Sequence, residues 1–232
     1  MAKENPITNG VGMNKYTQMQ KSFYKTGTSN HLENKKNKNY WNIILQDLND
    51  SDFWTGKVAL DFGSGMGRNV TNMLNLCDWS RVDGVDISEG NIAMCKEVYT
   101  TQPSEWYCNN GVDLEDLKSD EYDFIMSTVV LQHIPVHEIR TKLLKEMHRV
   151  LKKDGILSIQ MAFGPEDGAK ALYFDNKYDA VGTNSMFDVR VTSEEDVKKD
   201  FESMGFTNVT CEVTDSFSDG QHPQWIFIRA EK

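Results

Sequence analysis

The most informative stretch of this 232-residue sequence is Val58-Ala-Leu-Asp-Phe-Gly-Ser-Gly-Met-Gly-Arg68, in which a short apolar run passes directly into three alternating glycines. Val58–Phe62 has the length and the mostly apolar composition of a buried strand. Gly63, Gly65 and Gly67 permit a tight turn and let a ligand approach the main chain closely. The stretch therefore predicts a strand, a glycine-rich turn and the start of a helix.

Strand-like and helical patterns alternate from residue 57 onward. Strands are expected at Lys57–Phe62, Arg81–Asp86, Glu105–Cys108, Tyr122–Thr128 and Ile156–Ala162. Helices are expected between them at Gly67–Leu76, Glu89–Thr100, Asp113–Leu117 and Pro135–Leu151. Such alternation predicts an α/β fold, with a mostly parallel sheet covered by helices on both faces.

The length favours a single domain over residues 1–232, with 57–163 as its ligand-binding core. Residues 1–56 are expected to form a helical cover. Apolar side chains recur there at helical spacing at Trp41, Ile44, Leu45 and Leu48. Residues 164–192 break the alternation with glycine, proline, aspartate, asparagine and several aromatics, which predicts an insertion or lid.

The last segment, residues 193–232, is predicted to contain one helix and a hairpin. The helix is expected at Ser193–Met204, with acidic residues in its first turn. Two strands near Phe206–Thr214 and Gln224–Ala230 are separated by too few residues for a helical crossover. These two strands are therefore expected to pair antiparallel.

Composition excludes several classes of function. The formal charge is −10, which disfavours nucleic acid as a partner because phosphate binding needs clustered lysine and arginine. Apolar residues make up 39% of the chain, and no apolar run is long enough to span a membrane. The four cysteines are widely spaced and form no metal-ligand pattern, so a cytoplasmic protein with reduced thiols and no metal is expected. Composition says nothing about oligomeric state.

Two acidic residues indicate the ligand. Asp86 ends the second predicted strand, 19 residues after Gly67, where a carboxylate can accept hydrogen bonds from ribose hydroxyls. That position suits a dinucleotide and S-adenosylmethionine equally. Asp61 lies just before the glycine turn and would repel a pyrophosphate, whereas it favours the ammonium and sulfonium of S-adenosylmethionine.

These motifs resemble those of class I S-adenosylmethionine-dependent methyltransferases, in the same order and at similar spacing. The matching segments are Leu60–Gly67, Gly84–Ser88, Asn110–Leu114, Tyr122–Pro135 and Arg149–Ile156. The resemblance implies a Rossmann-like sheet of seven strands in the order 3-2-1-4-5-7-6, with strand 7 antiparallel. It also implies S-adenosylmethionine as the cofactor.

The resemblance further implies a role for each residue of these motifs. It assigns Asp61, Ser64 and the backbone of Gly63 and Gly65 to the methionine portion, Asp86 to the ribose, and Asp113 with Ile87 and Leu114 to the adenine. It places Ser127 beside the sulfonium. Arg68 is expected either to reach the cofactor carboxylate or to lie on the helix surface.

Missing signatures favour a small-molecule acceptor, and transfer to an O or N atom of that molecule is expected. Strand four lacks the D/N-P-P-Y/F sequence of nucleic-acid enzymes that methylate amino groups, and it lacks the terminal acid of metal-dependent catechol enzymes. No proline precedes a cysteine, so the Pro-Cys nucleophile of cytosine-C5 enzymes is also absent. His133 follows strand four and is a candidate base or acceptor-orienting group, or alternatively a helix-entry residue that contacts backbone. His222 is a second candidate. Candidate wall residues of the acceptor site include Tyr24, Trp41 and Phe163.

Two alternatives to methyl transfer remain open from the sequence. A non-methylating enzyme, such as a lyase or a carboxyl-modifying enzyme, can use the same type of pocket with an S-adenosylmethionine-type ligand. A non-catalytic cofactor-binding partner protein can do so too. Observed methyl transfer to a metabolite separates methyl transfer from both.

Overall fold

The computed structural model describes residues 11–25, 38–46, 52–179, 188–215 and 222–232. Within the predicted N-terminal cover, Leu48 lies outside the described residues. Residues 180–187 of the predicted insertion also lie outside them. Every structural statement below refers to the described ranges.

One mixed sheet forms the centre of the described structure. Its nine strands are β1 (Val58–Phe62), β2 (Arg81–Asp86), β3 (Trp106–Cys108), β4 (Tyr122–Thr128), β5 (Leu151–Phe163), β6 (Ala171–Leu172), β7 (Val189–Val191), β8 (Thr207–Asp215) and β9 (Gln224–Glu231). Strands β3, β2, β1, β4 and β5 are neighbours in that order and run parallel. Strand β9 pairs antiparallel with β5, and β8 pairs antiparallel with β9.

The predicted Rossmann-like order is confirmed for the seven main strands, because β8 and β9 take the places of the sixth and seventh. The sequence missed two short strands, β6 and β7, which come from the predicted insertion. It also began β5 too late. That strand starts at Leu151, directly after the preceding helix, and its first residue already pairs with Tyr122 of β4.

Six α-helices surround the described sheet. They are α1 (Val11–Tyr24), α2 (Lys38–Leu45), α3 (Arg68–Leu76), α4 (Glu89–Val98), α5 (His137–Val150) and α6 (Glu194–Ser203). Side-chain caps begin two of them, because Ser88 Oγ accepts a hydrogen bond from Asn91 N and Ser193 Oγ accepts one from Asp196 N.

The predicted short helix Asp113–Leu117 is wrong. The segment forms turns instead. Asn110 Oδ1 accepts hydrogen bonds from the backbone N–H groups of Val112 and Asp113, at 2.9 and 3.0 Å. Such local bonds from an asparagine give the backbone an alternative to a helix. Within Asp113–Leu117 the backbone then makes one turn-type hydrogen bond, from Leu117 N to Leu114 O.

Two apolar cores lie on opposite faces of the sheet, as the alternating pattern predicts. One core contains Leu60 and Ile125 from the strands with Leu143 of α5 and Phe201 of α6. The other contains Ala59 and Phe124 with apolar residues of α2, α3 and α4; these are Ile44, Val70 and Ile92. Strands β1 and β4 are therefore buried on both faces.

The short strand β7 lies directly beyond the carboxyl end of β4. Pairing of β4 with β5 ends at Thr128 and Gln160, whereas β5 continues to Phe163. Strand β9 fills the other edge of β5 up to Phe163. Because β7 pairs with Ala162 and Phe163, it must occupy the edge that β4 leaves open. The residue before β7, Asp188, is thereby brought to the carboxyl end of the sheet.

Other functional features were searched for within the described ranges. None of the helices there is long and apolar enough to cross a membrane. No group of three or more His, Cys, Asp and Glu side chains has the arrangement of a metal site in this part of the chain. All four cysteines are free thiols.

Candidate functional site

A cavity of about 550 Å³ lies at the carboxyl ends of β1, β2 and β4, where open α/β sheets bind ligands. Phe62, Asp86 and Thr128, which end these strands, all line it. Its volume falls in the usual range for small-molecule sites, roughly 300–1,000 Å³. Helix α1 covers the cavity on its other side, with Tyr16 and Tyr24 among its lining residues.

The glycine turn after β1 forms one wall of the cavity. Gly63 and Gly65 have φ angles of 78° and 53°, in the left-handed region that favours glycine. A Cβ atom at Gly63 would lie 2.2 Å from a methyl carbon of Val130, so the two segments pack in close contact. A Cβ at Gly65 would meet nothing within 4 Å. The backbone at Gly65 is therefore open to a ligand.

Asp86 joins this turn to the end of β2. Its Oδ2 accepts a hydrogen bond of 2.9 Å from Gly65 N, and its Oδ1 accepts one of 2.8 Å from Ser88 N. Burial raises the pKa of the Asp86 carboxyl, and these two backbone bonds partly offset the rise. A carboxylate has about four lone-pair sites. A side-chain hydrogen bond from Asn91 takes a third site, and the remaining capacity can accept a ribose hydroxyl.

Asp61 lies beneath the glycine turn and is fully buried. It does not line the cavity directly. Tyr40 of α2 packs nearby, and its pKa is raised first by burial and also by the negative charge of Asp61. The buried charge of Asp61 therefore contributes a negative potential below the turn.

The residues expected to meet an adenine do not all line this cavity. Ile87 lines it, together with Asn109 and Gly111, which sequence analysis did not select. Asp113 and Leu114 line a separate cavity of about 90 Å³. The Asp113 carboxylate accepts a 2.7 Å hydrogen bond from Asn110 Nδ2, in the turn that replaces the predicted helix. The Asn-Asn-Gly sequence was the available signal for this turn.

The segment after β4 forms the opposite wall. Thr128, Val129 and Val130 line the cavity, whereas the predicted Ser127 is fully buried and does not. Val129 has a φ angle of 62°, which a β-branched residue rarely adopts. Such strain costs of order 1–3 kcal/mol and persists where the surrounding structure enforces it. Here the strained residue faces the cavity.

His133 and His222 both line the cavity and share one carboxylate, that of Asp188. His133 Nδ1 lies 2.6 Å from Asp188 Oδ1, and His222 Nε2 lies 3.0 Å from Asp188 Oδ2. Gln132 Nε2 donates a third hydrogen bond of 3.3 Å to Asp188 Oδ2. Asp188 was not predicted, because its residue type and spacing carry no signal without the position of β7.

Asp188 holds its negative charge despite its surroundings. Burial alone would raise the pKa of this carboxyl, but the hydrogen bonds and charges of His133 and His222 bring the pKa below the ordinary value. A carboxylate that accepts several hydrogen bonds is stabilised in its charged form. Asp188 is therefore an anion that orients both histidines.

Helix α1 connects the two ends of the cavity. Gln20 donates a hydrogen bond to the hydroxyl of Tyr16, and its amide also lies 3.4 Å from the carbonyl oxygen of His133. Burial raises the pKa of Tyr24 to about 12, with further contributions from the charges of Asp188 and Asp86. Tyr24 thus lies within electrostatic reach of both carboxylates.

Comparison with known proteins identifies the site. A family model described as a methyltransferase domain matches residues 60–159, from β1 through most of β5. Residues 60–159 therefore form a methyltransferase domain, and its motifs resemble those of the class I S-adenosylmethionine-dependent methyltransferases. S-adenosylmethionine is accordingly the cofactor of this methyltransferase. No curated protein sequence matches the chain.

Solved structures share the fold at low sequence identity. A methyltransferase from Methanosarcina mazei is 17% identical, with 76% of this chain and 92% of that chain covered and a TM-score of 0.60. A phosphoethanolamine N-methyltransferase of Haemonchus contortus, in complex with phosphomonomethylethanolamine and S-adenosylhomocysteine, is 16% identical with a TM-score of 0.62. The matched region covers 97% of this chain and 58% of the Haemonchus contortus enzyme. The [4+2]-cyclase SpnF is 14% identical with a TM-score of 0.58, covering 94% of this chain and 93% of its own.

The residues of the methyltransferase fit its cofactor. Asp86 retains acceptor capacity for a ribose, and Gly65 leaves space beside the main chain. Predicted cofactor residues on the cavity wall are Gly63, Ser64, Gly65, Arg68, Asp86 and Ile87. Predicted cofactor residues outside its lining are Asp61, Asp113, Leu114 and Ser127.

The predicted acceptor residues divide in the same way. Tyr24, His133 and His222 line the cavity. Trp41 of α2 packs in one core, and Phe163 packs against the other core at the end of β5. Both aromatic residues were selected for their type and chain position, which do not reveal the direction of a side chain.

Proposed function

We propose that this methyltransferase transfers a methyl group to an O or N atom of a small molecule bound beside His133. One observation carries the proposal. A single cavity contains both the glycine turn with Asp86 and the pair His133 and His222, under the cover of α1. Its volume is that of a small-molecule site, and the chain's charge of −10 disfavours nucleic acid as the acceptor.

S-adenosylmethionine supplies a methyl group on a sulfonium, which leaves as a neutral thioether. The protein's own contribution is to hold the two reactants in line and to exclude water. Asp86 and the glycine turn hold one reactant, while the residues that follow β4 border the other. In-line transfer then needs a base only where the acceptor atom carries a proton.

We infer that His133 acts as that base. Its Nδ1–H donates to Asp188, which leaves the lone pair of Nε2 for the acceptor. Asp188 also stabilises the imidazolium that forms when Nε2 takes a proton. His222 supports the same carboxylate from its other oxygen.

A cyclase with the same fold shows that the fold alone does not fix the reaction. The test is incubation of the full chain with labelled S-adenosylmethionine and a metabolite mixture, with S-adenosylhomocysteine formation as the readout. We expect acceptor-dependent formation, together with calorimetric binding of S-adenosylhomocysteine and not of NAD. Binding without any methyl transfer would instead favour a non-methylating enzyme or a cofactor-binding partner protein.

A further inference from the structure

We propose that the methyl acceptor is an amine, bound as an ammonium by a surface of hydrogen-bond acceptors that Asp188 creates. The inference rests on the proposed function and adds to it the chemical class of the substrate. It follows from the direction of three hydrogen bonds, from the charges that line the cavity, and from its aromatic walls.

Asp188 determines where three neighbouring side chains carry their hydrogens. A carboxylate has only lone pairs to offer, so each partner must present an N–H group to it. His133 does so with Nδ1, His222 with Nε2 and Gln132 with Nε2, at 2.6, 3.0 and 3.3 Å. The atoms on the other ends of the same side chains are then His133 Nε2, His222 Nδ1 and Gln132 Oε1. In the neutral side chains all three are hydrogen-bond acceptors.

Two of these acceptors lack a partner within the described chain. His222 Nδ1 and Gln132 Oε1 are buried and receive no hydrogen bond from described residues. The residues are 8% and 3% exposed, and both line the cavity. A buried polar atom without a partner costs about 1–3 kcal/mol. Both atoms are closed off in this structure, so a ligand that donates hydrogen bonds reaches them when the two side chains turn toward the cavity that they line.

The charges around the cavity favour a cation over an anion. The fully charged side chains among its described lining residues are Arg68 and Asp86, and both belong to the segments around the glycine turn. No described lysine or arginine lines the cavity beside the histidines, where an anionic acceptor would need one. The Asp188 charge lies behind the histidines, and the net charge of −10 attracts cations toward the protein.

Aromatic side chains complete the surface. Tyr16, Tyr24 and Trp225 line the same cavity. The face of an aromatic ring attracts an ammonium group by roughly 0.5–2 kcal/mol, depending on desolvation. A neutral alcohol would gain the hydrogen bonds but not this attraction, and a carboxylate would gain neither.

The arrangement also accounts for activation of the amine. His133 Nε2 accepts one proton from the bound ammonium, and the freed nitrogen lone pair forms the bond to the methyl carbon. The carbon–sulfur bond breaks, and its electron pair stays on sulfur as a thioether. The imidazolium formed at His133 is stabilised by Asp188, and the His133 side chain, 34% exposed, releases the proton to solvent.

The hydrogen positions can be tested without any substrate. Long-range ¹H–¹⁵N NMR of the full chain saturated with S-adenosylhomocysteine at pH 7.5 reports which ring nitrogens carry hydrogen. His133→Gln and His222→Gln variants assign the two signals. We expect His133 Nε2 and His222 Nδ1 to be unprotonated. A hydrogen on either atom overturns the proposal.

The substrate class is tested with matched compounds on aliphatic, benzyl and indole skeletons, each as an amine, an alcohol and a carboxylate. Binding to the S-adenosylhomocysteine complex is followed by saturation-transfer NMR, and methylation with S-adenosylmethionine is followed by mass spectrometry. We expect binding and N-methylation of amines only. Selection of alcohols or carboxylates, or binding of no amine on any skeleton, overturns the proposal. Amines that bind without being methylated would leave it standing and contradict the proposed methyl transfer.

Variants locate the effect. Asp188→Asn should weaken amine binding by about tenfold or more, because the charge that orients the three hydrogen-bonding side chains is lost. A tenfold change corresponds to about 1.4 kcal/mol. Asp200→Asn is the matched control, because Asp200 accepts a 3.0 Å hydrogen bond from His137 outside the cavity. Gln132→Met, which removes the Oε1 acceptor and the hydrogen bond from Nε2 to Asp188 but keeps an apolar chain, should weaken amine binding without the loss of a charge. Equal amine affinity in wild type, Asp188→Asn and Gln132→Met would contradict the assignment of this surface.

Discussion

Asp188 Oδ1 lies 2.6 Å from His133 Nδ1, although 55 residues separate the two in the sequence. The contact joins the turn after β4 to the strand β7 that the insertion adds beside it. It converts a lone histidine near the expected sulfonium position into one whose ring is oriented and whose Nε2 is available. The position of β7 on the edge of β5 makes this contact possible.

The first prediction concerns Asp86. Asp86→Ala should weaken binding of S-adenosylhomocysteine by roughly 1.5–3 kcal/mol, the range for hydrogen bonds to a charged group. The physical reason is that Asp86 both orients the Gly65 turn and offers acceptors to a ribose. Isothermal titration calorimetry measures the change. Asp78→Ala is the control, because Asp78 is exposed and precedes the opposite end of β2; an equal loss in both variants would remove Asp86 from the site.

The second prediction separates backbone strain from steric clash at the glycine turn. Gly63→Ala should destabilise the protein more than Gly56→Ala, although the two glycines have similar φ angles of 78° and 74°. Both variants place a Cβ in the left-handed region, at a cost of roughly 1–2 kcal/mol. At Gly63 the new atom also overlaps Val130, whereas at Gly56 it meets nothing within 4 Å. Overpacking adds typically 1–3 kcal/mol. Urea unfolding measures both variants, and equal midpoints would show that the Val130 segment moves aside freely.

Much of the fold could be predicted, because hydrophobic periodicity and glycine punctuation are local signals. The strand before Gly63 and the acid at the end of β2 are examples, and both stand where the sequence placed them. One failure has a clear local cause. Asn110 stops the helix expected at Asp113 through its own side-chain bonds, which periodicity does not register.

The candidate site was less predictable than the sheet. His133 and Tyr24 reach the cavity, whereas Trp41 and Phe163 pack into the two cores. Residue type and chain position cannot separate these cases, since an aromatic side chain suits a core and a binding wall equally. Asp188 could not be found at all, because its role depends on a non-local strand pairing.

The third prediction concerns the cover. Residues 1–50 and 164–192 are predicted to form a mobile cover over the acceptor pocket. Their amide hydrogens should exchange fast in the apo protein and slowly when cofactor and acceptor are bound. Helix α1 lines the cavity with Tyr16, Gln20 and Tyr24, so cofactor and acceptor should slow amide hydrogen exchange along Val11–Tyr24. Mass-spectrometric exchange of the apo and liganded protein measures the effect, with strand β9 as the internal control. Equal protection of α1 in both states would indicate a fixed wall.

The fourth prediction is a pH dependence of stability. The pKa of Asp188 lies below its ordinary value in the folded protein, so its charge stabilises the fold. That contribution is fully present above the unfolded pKa of about 4 and is lost as the pH falls toward the lower folded-state value. Asp188→Asn should therefore be less stable than wild type at pH 7, and the difference should shrink below about pH 4. Urea unfolding from pH 7 to pH 3 checks this, and a gap as constant as that of the exposed-site variant Asp78→Asn would contradict it.

The last prediction is that His133 aids the acceptor without being required for cofactor binding. The carboxyl end of β4 must face the methyl group if Gly65 and Asp86 hold the cofactor, and His133 follows that end on the cavity wall. As a base, its loss in His133→Ala should lower kcat by roughly 10²–10⁴-fold with near-normal S-adenosylhomocysteine affinity. The acidic limb of the rate profile should vanish with it. If His133 only orients the acceptor, the decrease in kcat should be smaller, KM should rise and the acidic limb should remain. His148→Ala is the control, since His148 does not line the cavity and its Nε2 bonds the Gly205 carbonyl oxygen. Wild-type kcat and KM in His133→Ala would show that the ring is structural, and catalysis would then rest on the alignment of the two reactants alone.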